Sequence, residues 1–134
     1  MKALSELKAE QQSKVNKLMN DCLVFFAFSD EQFNKSKTPL QEGEKYVSIG
    51  AGGYMPKSRV NDFTTGMKDI NKWYKAEIKA NKVRKQEILY ELCNHEAFYV
   101  GDITETLEAL GSDYTHDEVM SVYNSEYKKQ TELN

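Results

Sequence analysis

The sequence predicts a mainly α-helical fold, a compact bundle of four to six helices with one long central helix. Apolar residues recur at intervals of three and four over most of the chain. Helix-capping signals divide the chain into segments, and one short segment, 46–49, alternates as a β-strand does. The 134 residues fit a single domain, 1–134, because two domains would each fall near the lower size limit for a stable core.

The first helix is predicted from Leu4 to Phe28. Its end is apolar nearly all round, so we expect that part to be central to the core. A short second helix begins after Ser29, which can cap it, with Gln32 in the capping-box position. The segment 37–39 is expected to end this helix, because the residue before a proline avoids helical geometry.

The segment 46–49 is expected to form a small two-stranded β element, after a turn at 42–44. A loop is predicted at 50–57, where three of four consecutive residues are glycine. Glycine allows backbone geometry or close approach that a side chain would forbid. We therefore expect the backbone to turn tightly within this loop.

The long central helix is predicted from Ser58, its cap, toward Asn94. One apolar stripe runs along its first part: Val60, Phe63, Met67, Ile70, Tyr74 and Ile78. Between 79 and 86 charged residues cover most faces, as in a helix that meets solvent or a partner. The sequence therefore leaves open whether this helix breaks near Asn81, which would give two helices in place of one.

Capping boxes predict the starts of the last two helices. Asp102 and Thr115 each precede a glutamate by three residues, and Gly111 is expected to end the shorter helix between them. A connector, 94–101, precedes both helices. The polar tail, 128–134, is expected to fray.

The predicted core draws on all of these helices: Leu18, Cys22, Phe25, Phe26, Phe28, Phe33, Phe63, Met67, Ile70, Leu89, Leu92, Leu107, Leu110, Val119 and Val122. Cys22 and Cys93 are interpreted as buried free thiols, since neither belongs to a Cys-x-x-Cys pair. The sequence contains no apolar run of membrane-spanning length and does not open with a signal peptide. We therefore expect a cytoplasmic protein.

Charge is distributed unevenly along the chain. The net charge is +1 over 1–65, +5 over 66–86 and −9 over 87–134. Five lysines of the basic segment are spaced to share one helix face: Lys68, Lys72, Lys75, Lys79 and Lys82. Such a face could lie along phosphates or an acidic protein surface, or it could be an ordinary solvated face.

The glycine-rich loop resembles a phosphate-binding loop, but Pro56 stands where that motif has glycine. Proline has no N–H to offer a phosphate, so we exclude an NTPase. A weaker anion site remains open, formed by backbone N–H groups and basic side chains: Gly52, Gly53, Lys57 and Arg59. A nucleotide-signal site would add Tyr54, with Tyr99 or His95. The alternative is a structural turn that lets Tyr54 pack.

The two histidines, His95 and His116, do not form a catalytic or metal-binding pattern with other residues. His95 is interpreted as a hydrogen-bonding connector between helices. The sequence also contains no EF-hand calcium loop. We therefore assign no catalytic residues, no metal site and no cofactor, and we expect that the protein is not an enzyme.

Three segments, in this order, resemble a group of small uncharacterised proteins of bacteriophages and prophages: AFSDEQF at 27–33, IGAGGYMPK at 49–57 and NHEAFYVGD at 94–102. Ala51 and Val100 stand where that group is expected to have glycine and threonine. The resemblance implies a phage setting, and hence an accessory protein inside an infected bacterium.

Two classes of function follow. The first is a stoichiometric binder that inhibits a host process such as anti-phage immunity, with a host protein or a small nucleotide as its target. A protein-binding version would use the lysine face, with Lys72, Lys75 and Lys79 central to it. The alternative is a nucleic-acid-associated phage protein that uses the basic stripe Lys68–Lys82. A homo-oligomer is compatible with either class, because the helix near Ile78 needs cover.

Overall fold

The computed structural model describes residues 1–37 and 44–132, with side chains described through Lys129. Seven α-helices and three β-strands lie in these ranges, together with one turn of 3-10 helix at Lys57–Arg59: α1 (Leu4–Asp21), β1 (Phe25–Phe26), α2 (Asp30–Ser36), β2 (Tyr46–Gly50), β3 (Gly53–Pro56), α3 (Val60–Ala80), α4 (Arg84–Asn94), α5 (Ala97–Val100), α6 (Thr104–Leu110) and α7 (His116–Glu132).

The mainly helical fold class is confirmed, since 69% of the structure is helix. Two parts of the prediction are wrong. The structure has no single long central helix, and the β element is a three-stranded antiparallel sheet in the order β1–β3–β2. The periodicity of the sequence therefore did not indicate the strands β1 and β3.

Helix α1 ends at Asp21, and the prediction that it continues to Phe28 is wrong. Leu23 has a left-handed backbone with φ of 59°. The Leu23 N–H donates to the Asn20 carbonyl at 3.1 Å and the Val24 N–H to the Met19 carbonyl at 2.8 Å. This is a Schellman ending, which normally uses glycine at the left-handed position. A leucine there gave no stop signal in the sequence.

The predicted long helix is interrupted in the same way, between α3 and α4. Lys82 has φ of 55°, and the Val83 N–H donates to the Ile78 carbonyl at 3.1 Å. The side chains of Ile78 and Val83 are both buried, which is the apolar contact that commonly accompanies this ending. The break therefore lies where the apolar stripe fades. The helix also begins at Val60 rather than at Ser58, whose hydroxyl donates to Glu44.

The strand predicted at 46–49 is confirmed as β2, but the predicted loop at 50–57 is wrong in its second half. Residues Gly53–Pro56 form β3, the central strand, which pairs with β1 and β2. The hairpin tip between β2 and β3 is left-handed, with φ of 88° at Gly50, 51° at Ala51 and 80° at Gly52. Glycine at two of these positions makes the tight reversal possible.

The predicted cap of α2 is confirmed, since the Ser29 hydroxyl accepts a hydrogen bond from the Gln32 N–H at 3.2 Å. The Gln32 side-chain oxygen accepts a hydrogen bond from the Phe28 N–H at 2.7 Å. In a regular capping box this hydrogen bond would come from the N–H of the cap residue itself, Ser29. The turn expected at 42–44, except for Glu44, and the Pro39 signal lie outside the described residues.

The cap of α7 at Thr115 and the stop of α6 at Gly111 are confirmed, whereas the capping box predicted for α6 is wrong, because its N-cap is Ile103, one residue after Asp102. Asp102 accepts hydrogen bonds from the Thr104 N–H and hydroxyl, and Thr115 accepts one from the Glu118 N–H at 3.1 Å. Gly111 follows the last residue of α6 with φ of 84°. The connector 94–101 contains the short helix α5, which was not predicted. Helix α7 reaches Glu132, and the fraying of 128–134 stays a prediction.

The chain divides into two compact units, unit 1 with Met1–Leu4 and the chain from Ile78 onward, and unit 2 with Ser5–Glu77. Seven residues form the buried core of unit 1: Ile88, Leu92, Ala97, Ile103, Leu110, Val119 and Val122. Buried residues of unit 2 come from its helices and its sheet: Leu7, Cys22, Ala27, Met55, Ile70 and Tyr74. The single domain expected over 1–134 stays a prediction beside this division.

Three predictions of burial are wrong. Phe26 is 50% exposed and Phe28 is 76% exposed, because the chain leaves helix α1 before reaching them. Cys93 is exposed, whereas Cys22 is buried as expected. Burial raises the pKa of the Cys22 thiol, with a smaller contribution from the Asp62 carboxylate, so this side chain behaves as an apolar group.

One ion pair joins the starts of α4 and α7 within unit 1. The Arg84 guanidinium donates to both carboxylate oxygens of Glu118, at 2.6 and 2.8 Å, and also to the Asp113 carbonyl. It lies 3.9 Å from the centre of the Tyr114 ring. The hydrogen bond from Arg84 holds the pKa of the Glu118 carboxyl below its usual range. Planar two-point contact of this kind is the strong form of a salt bridge.

We expect Glu118→Gln to lower the free energy of unfolding by about 1 kcal/mol at neutral pH, since the pair is partly exposed to solvent. Glu118 has a lower pKa in the folded than in the unfolded chain. Its contribution is therefore complete above the unfolded value of about 4.3 and lost as the pH falls through the folded value. Urea unfolding of both proteins from about pH 7 to about pH 3 should show their difference shrinking.

Glu108→Gln provides the matched control, because Glu108 is an exposed carboxylate on α6 of the same unit. It should leave stability at neutral pH nearly unchanged. Equal losses in the two variants would show that the Arg84–Glu118 pair does not stabilise unit 1.

The hairpin tip generates a second prediction. Ala51 has φ of 51°, a conformation that costs a residue with a Cβ about 1–2 kcal/mol. Ala51→Gly should therefore raise the free energy of unfolding by about 1 kcal/mol. The control Ala9→Gly, on an exposed face of α1, should lower it by about 1 kcal/mol. Urea unfolding measures both changes, and a loss in both variants would contradict the left-handed assignment at Ala51.

Candidate functional site

Four aromatic rings of unit 2 pack together beside the sheet: Phe25, Phe33, Tyr46 and Tyr54. The Tyr54 ring stacks on Phe25 with centroids 5.8 Å apart, and it meets Phe33 edge-on at 5.0 Å. Tyr46 meets both phenylalanines edge-on, at 5.5 and 5.4 Å. These are favourable aromatic geometries, so the cluster fixes α2 against the strands.

Two further phenylalanines are exposed nearby: Phe26 in β1 and Phe28, two residues beyond the end of that strand. Successive side chains alternate between the faces of a strand, so Phe26 projects away from the cluster that holds Phe25. The Phe28 ring lies against Gly52, where a Cβ would come within 2.4 Å of the ring. Phe26 and the exposed Ile49 lie similarly close to Gly53. Both glycines thus let exposed apolar side chains lie directly on the backbone of the hairpin.

A cleft of about 430 Å³ lies where β1 leads into α2, beside β3. It is lined by Ala27, Phe28, Ser29, Asp30, Phe33 and Tyr54. Three of these residues provide aromatic rings, two provide hydroxyl groups and one provides a carboxylate. Asp30 is exposed, and the described residues offer it no ion-pair partner within 4 Å. The lining of the cleft is mixed, polar and apolar, and its volume lies within the range of ligand sites.

The structure brings some of the sequence-predicted anion-site residues together and separates others. Tyr54 lines the cleft, and Gly52 and Gly53 lie beneath the exposed rings at its edge. Lys57 follows the other end of β3. At the usual rise per residue of a strand, it lies roughly 13 Å from Gly53. Its N–H already donates to the Lys45 carbonyl at 2.7 Å.

Arg59 is likewise engaged elsewhere in unit 2. Its guanidinium donates to the carbonyl of Asp21, the last residue of α1, at 3.5 Å. A positive charge at that position complements the carbonyl end of a helix. The glycines and the two basic side chains therefore do not converge on one point, and the Tyr54 ring packs as the structural alternative predicted.

The lysine face predicted from spacing lies on exposed positions of α3. Lys68, Lys72 and Lys75 belong to unit 2, whereas Lys79 belongs to unit 1 and Lys82 follows the helix end. The aromatic residues of α3 are covered by lysines of α1: Lys14 lies 4.6 Å from the Trp73 ring and Lys8 lies 5.4 Å from the Tyr74 ring. These rings are therefore not presented for stacking beside the lysine face.

His95 and Tyr99 belong to unit 1 and do not contribute to the cleft of unit 2. The two imidazole nitrogens of His95 lie 3.3 Å from a Glu91 oxygen and 3.5 Å from a Glu105 oxygen. His95 thus lies between carboxylates of α4 and α6, but its buried Nε2 has no hydrogen-bond partner among the described residues, so its interpretation as a hydrogen-bonding connector stays a prediction. Tyr99 is 91% exposed, on the short helix α5.

Sequence reasoning missed Phe28, Ser29, Asp30 and Phe33 as site residues. Phe28 and Phe33 were assigned to the core, and Ser29 was noted only as a helix cap. The available signal was the segment 27–33 itself, where aromatic residues flank a serine and an acidic pair. The same residues can cap a helix and line a cleft, so the sequence pattern did not distinguish these two roles.

The model of one protein family matches residues 7–129 of this chain. The chain belongs to the family of unknown function DUF7659. Comparison with curated proteins and with solved structures finds no match. The DUF7659 match covers both units, so the cleft and the lysine face both lie within the region that defines the family.

Within residues 1–37 and 44–132, no helix combines the length and hydropathy that a membrane span requires. In the same ranges, no three His, Cys, Asp or Glu side chains are grouped so that they could hold a metal ion.

We expect Gly52→Ala to displace the Phe28 ring and destabilise unit 2 by about 2 kcal/mol, because the new methyl group would clash with the ring and strain a backbone of φ 80°. Gly50→Ala is the control, since its φ is 88° and a Cβ there would meet nothing within 4 Å. Urea unfolding and the NMR signals of the Phe28 ring would measure both effects. Equal losses and unmoved ring signals would contradict the contact.

Proposed function

We propose that this protein acts by stoichiometric binding of a partner protein, and that the hairpin surface of unit 2 is the contact. This surface consists of Phe28, whose ring lies on Gly52 of the hairpin tip, together with the adjoining cleft. The observation that carries the proposal is Phe28, which is 76% exposed while its ring is held on Gly52. A fixed, exposed aromatic ring beside a cleft is the kind of anchor that dominates protein interfaces.

The composition of this surface favours a protein over a nucleotide signal. The rings of Phe28, Phe33 and Tyr54 line the cleft, whereas the exposed Phe26 and Ile49 lie at Gly53 on the other face of the sheet. None of the residues that line the cleft is basic, and its one charged residue, Asp30, would repel a phosphate. Interface cores are rich in aromatic residues and poor in charge, as this lining is.

The resemblance to bacteriophage and prophage proteins supplies the setting of the proposal. In that setting the partner is a protein of the host bacterium, and binding inhibits a host process such as anti-phage immunity. Nucleic-acid binding through the lysine face is the alternative, and its signature is affinity that falls steeply with salt.

The test compares the wild type, Phe28→Ser and Tyr99→Ser as tagged proteins. Proteins captured from host cells are quantified, and the captured partner is then purified and titrated by calorimetry. We expect a fixed stoichiometry and a loss of affinity of about tenfold or more for Phe28→Ser, since it removes an anchor ring. Tyr99→Ser removes an equally exposed ring from unit 1 and should bind as the wild type does.

Phe28→Ser removes an exposed side chain, so its fold should persist, which circular dichroism checks. A purified partner that binds the wild type and Phe28→Ser equally would refute this surface as the contact. Binding to DNA that weakens in Lys72→Glu but not in Phe28→Ser would instead support the nucleic-acid alternative.

A further inference from the structure

We infer that the lysine face of one copy of this protein binds an acidic surface on unit 1 of a second copy. The acidic surface consists of four exposed carboxylates that lie on either side of the exposed Tyr99 in the chain: Glu96, Asp102, Glu105 and Glu108. The inference is independent of the proposed function, because neither surface includes the cleft of unit 2. It depends on the charges that the two surfaces expose and on their complementarity.

The lysine face is a narrow basic strip on α3. Lys68, Lys72 and Lys75 are all exposed and lie within an arc of about 60° around the helix, at about 100° per residue. The nearest acidic residue of the helix, Asp69, lies about 60° outside this arc. Within the part of the chain that the structure describes, neither Lys68 nor Lys72 forms an ion pair or a hydrogen bond. Two cations of this face are therefore available to an incoming carboxylate.

The acidic surface belongs to a strongly acidic stretch of unit 1. Residues 86–127 contain ten aspartates and glutamates and no lysine or arginine. Glu105 and Glu108 are three residues apart on α6 and are therefore neighbours on its exposed side. The His95 Nδ1 atom lies 3.5 Å from a Glu105 oxygen, which places the start of α6 beside Glu96, the next residue in the chain. Among the described residues, neither Glu96 nor Glu108 has a cationic partner.

Tyr99 gives the acidic surface a second means of holding a lysine. Helix α5 is a single turn, and its Tyr99 side chain is 91% exposed. An ammonium group is attracted to the face of a tyrosine or tryptophan ring. Unit 2 already contains a contact of this kind, since Lys14 lies 4.6 Å from the centre of the Trp73 ring. An exposed ring flanked by carboxylates is thus chemically suited to a lysine-rich helix face.

Charge complementarity favours a second copy as the partner. The two surfaces have opposite charge and are both exposed on the same chain, so every molecule offers what the surfaces of another molecule lack. Lysine is a point charge on a flexible stem, so the contact needs opposite charges rather than a close geometric fit. Two lysine faces would repel each other, as would two acidic surfaces, so the contact is head-to-tail. Such a contact closes into a ring or continues as a chain of molecules.

Self-association of the full chain is measured by sedimentation equilibrium at about 0.05 M and about 0.5 M salt. We expect an average mass above that of the monomer at the lower salt concentration. The association constant should fall about tenfold or more at the higher one, because salt screens exposed charges. A protein that is monomeric at both salt concentrations, at up to about 1 mM protein, would overturn the inference.

Charge reversal tests the two surfaces separately. Lys68→Glu with Lys72→Glu reverses the lysine face, and Glu105→Lys with Glu108→Lys reverses the acidic surface. Each double variant alone should associate at least about tenfold more weakly than the wild type, since like charges would meet. An equimolar mixture of the two variants should associate as the wild type does, because each reversed surface then meets its complement. Restored association would also show that both variants are folded.

Lys35→Glu with Lys37→Glu is the matched control, because both lysines are exposed in unit 2 but lie outside the lysine face. This control should associate as the wild type does. Phe28→Ser should do so as well, since its ring belongs to the surface proposed for the partner protein. Weaker self-association of Phe28→Ser would place the contact at that surface and would overturn the inference.

Three further results would overturn it: unchanged association of either charge-reversed variant, a mixture that associates as weakly as its components, or equal weakening by the matched control. Duplex DNA provides the remaining comparison, by gel shift. DNA binding by a protein that stays monomeric, lost in Lys68→Glu with Lys72→Glu, would assign the lysine face to phosphates and refute the contact between copies.

Discussion

The turn at Leu23 is the constraint on which the architecture of unit 2 depends. A left-handed leucine ends α1 and sends the chain into β1, so that a segment predicted as helix becomes the outer strand of a sheet. Helical geometry would have placed Phe25, Phe26 and Phe28 at about 100° intervals around one axis. Strand geometry instead sends Phe25 into an aromatic cluster and leaves Phe26 and Phe28 at the surface. The conformational cost at Leu23 is offset by the sheet pairing and ring packing that follow from it.

The cleft is lined and bordered by residues that also have structural roles in unit 2. Ser29 caps α2, yet the same turn presents Asp30 and separates the Phe28 ring from the Phe33 ring. Gly52 has a left-handed backbone that closes the hairpin, and its missing side chain also leaves the space that Phe28 occupies. The Phe28 ring thus lies on the backbone of the hairpin tip while most of its surface remains exposed.

Unit 1 is held by a different combination of forces. Its apolar core comes from α4, α5, α6 and α7 together with Ile103, just before α6, and the Arg84–Glu118 pair fixes the start of α4 to the start of α7 at the partly exposed edge. Lys82 and Glu96, both left-handed without being glycine, set the two ends of α4. The side chains of Ile78 and Val83 make the first of these turns favourable by being buried at it. In unit 1, as in unit 2, a left-handed backbone at a residue other than glycine is stabilised by apolar contacts nearby.

The sequence by itself determined the helical class, the strand at 46–49, the capped starts of α2 and α7 and the glycine stop after α6. These features depend on contacts between residues close in the chain, such as Ser29 with Gln32. Such contacts can be recognised from a short stretch of sequence. Only the tertiary structure decided the ends of α1 and α3, the pairing of β1 with β3 and the exposure of Phe28. The pairing of β1 depends on residues distant in the chain, because a strand as short as Phe25–Phe26 exists only where Gly53 and Tyr54 are present to pair with it. The two helix ends are local turns, but leucine and lysine stand at the left-handed positions where such turns usually have glycine, so the sequence did not indicate them.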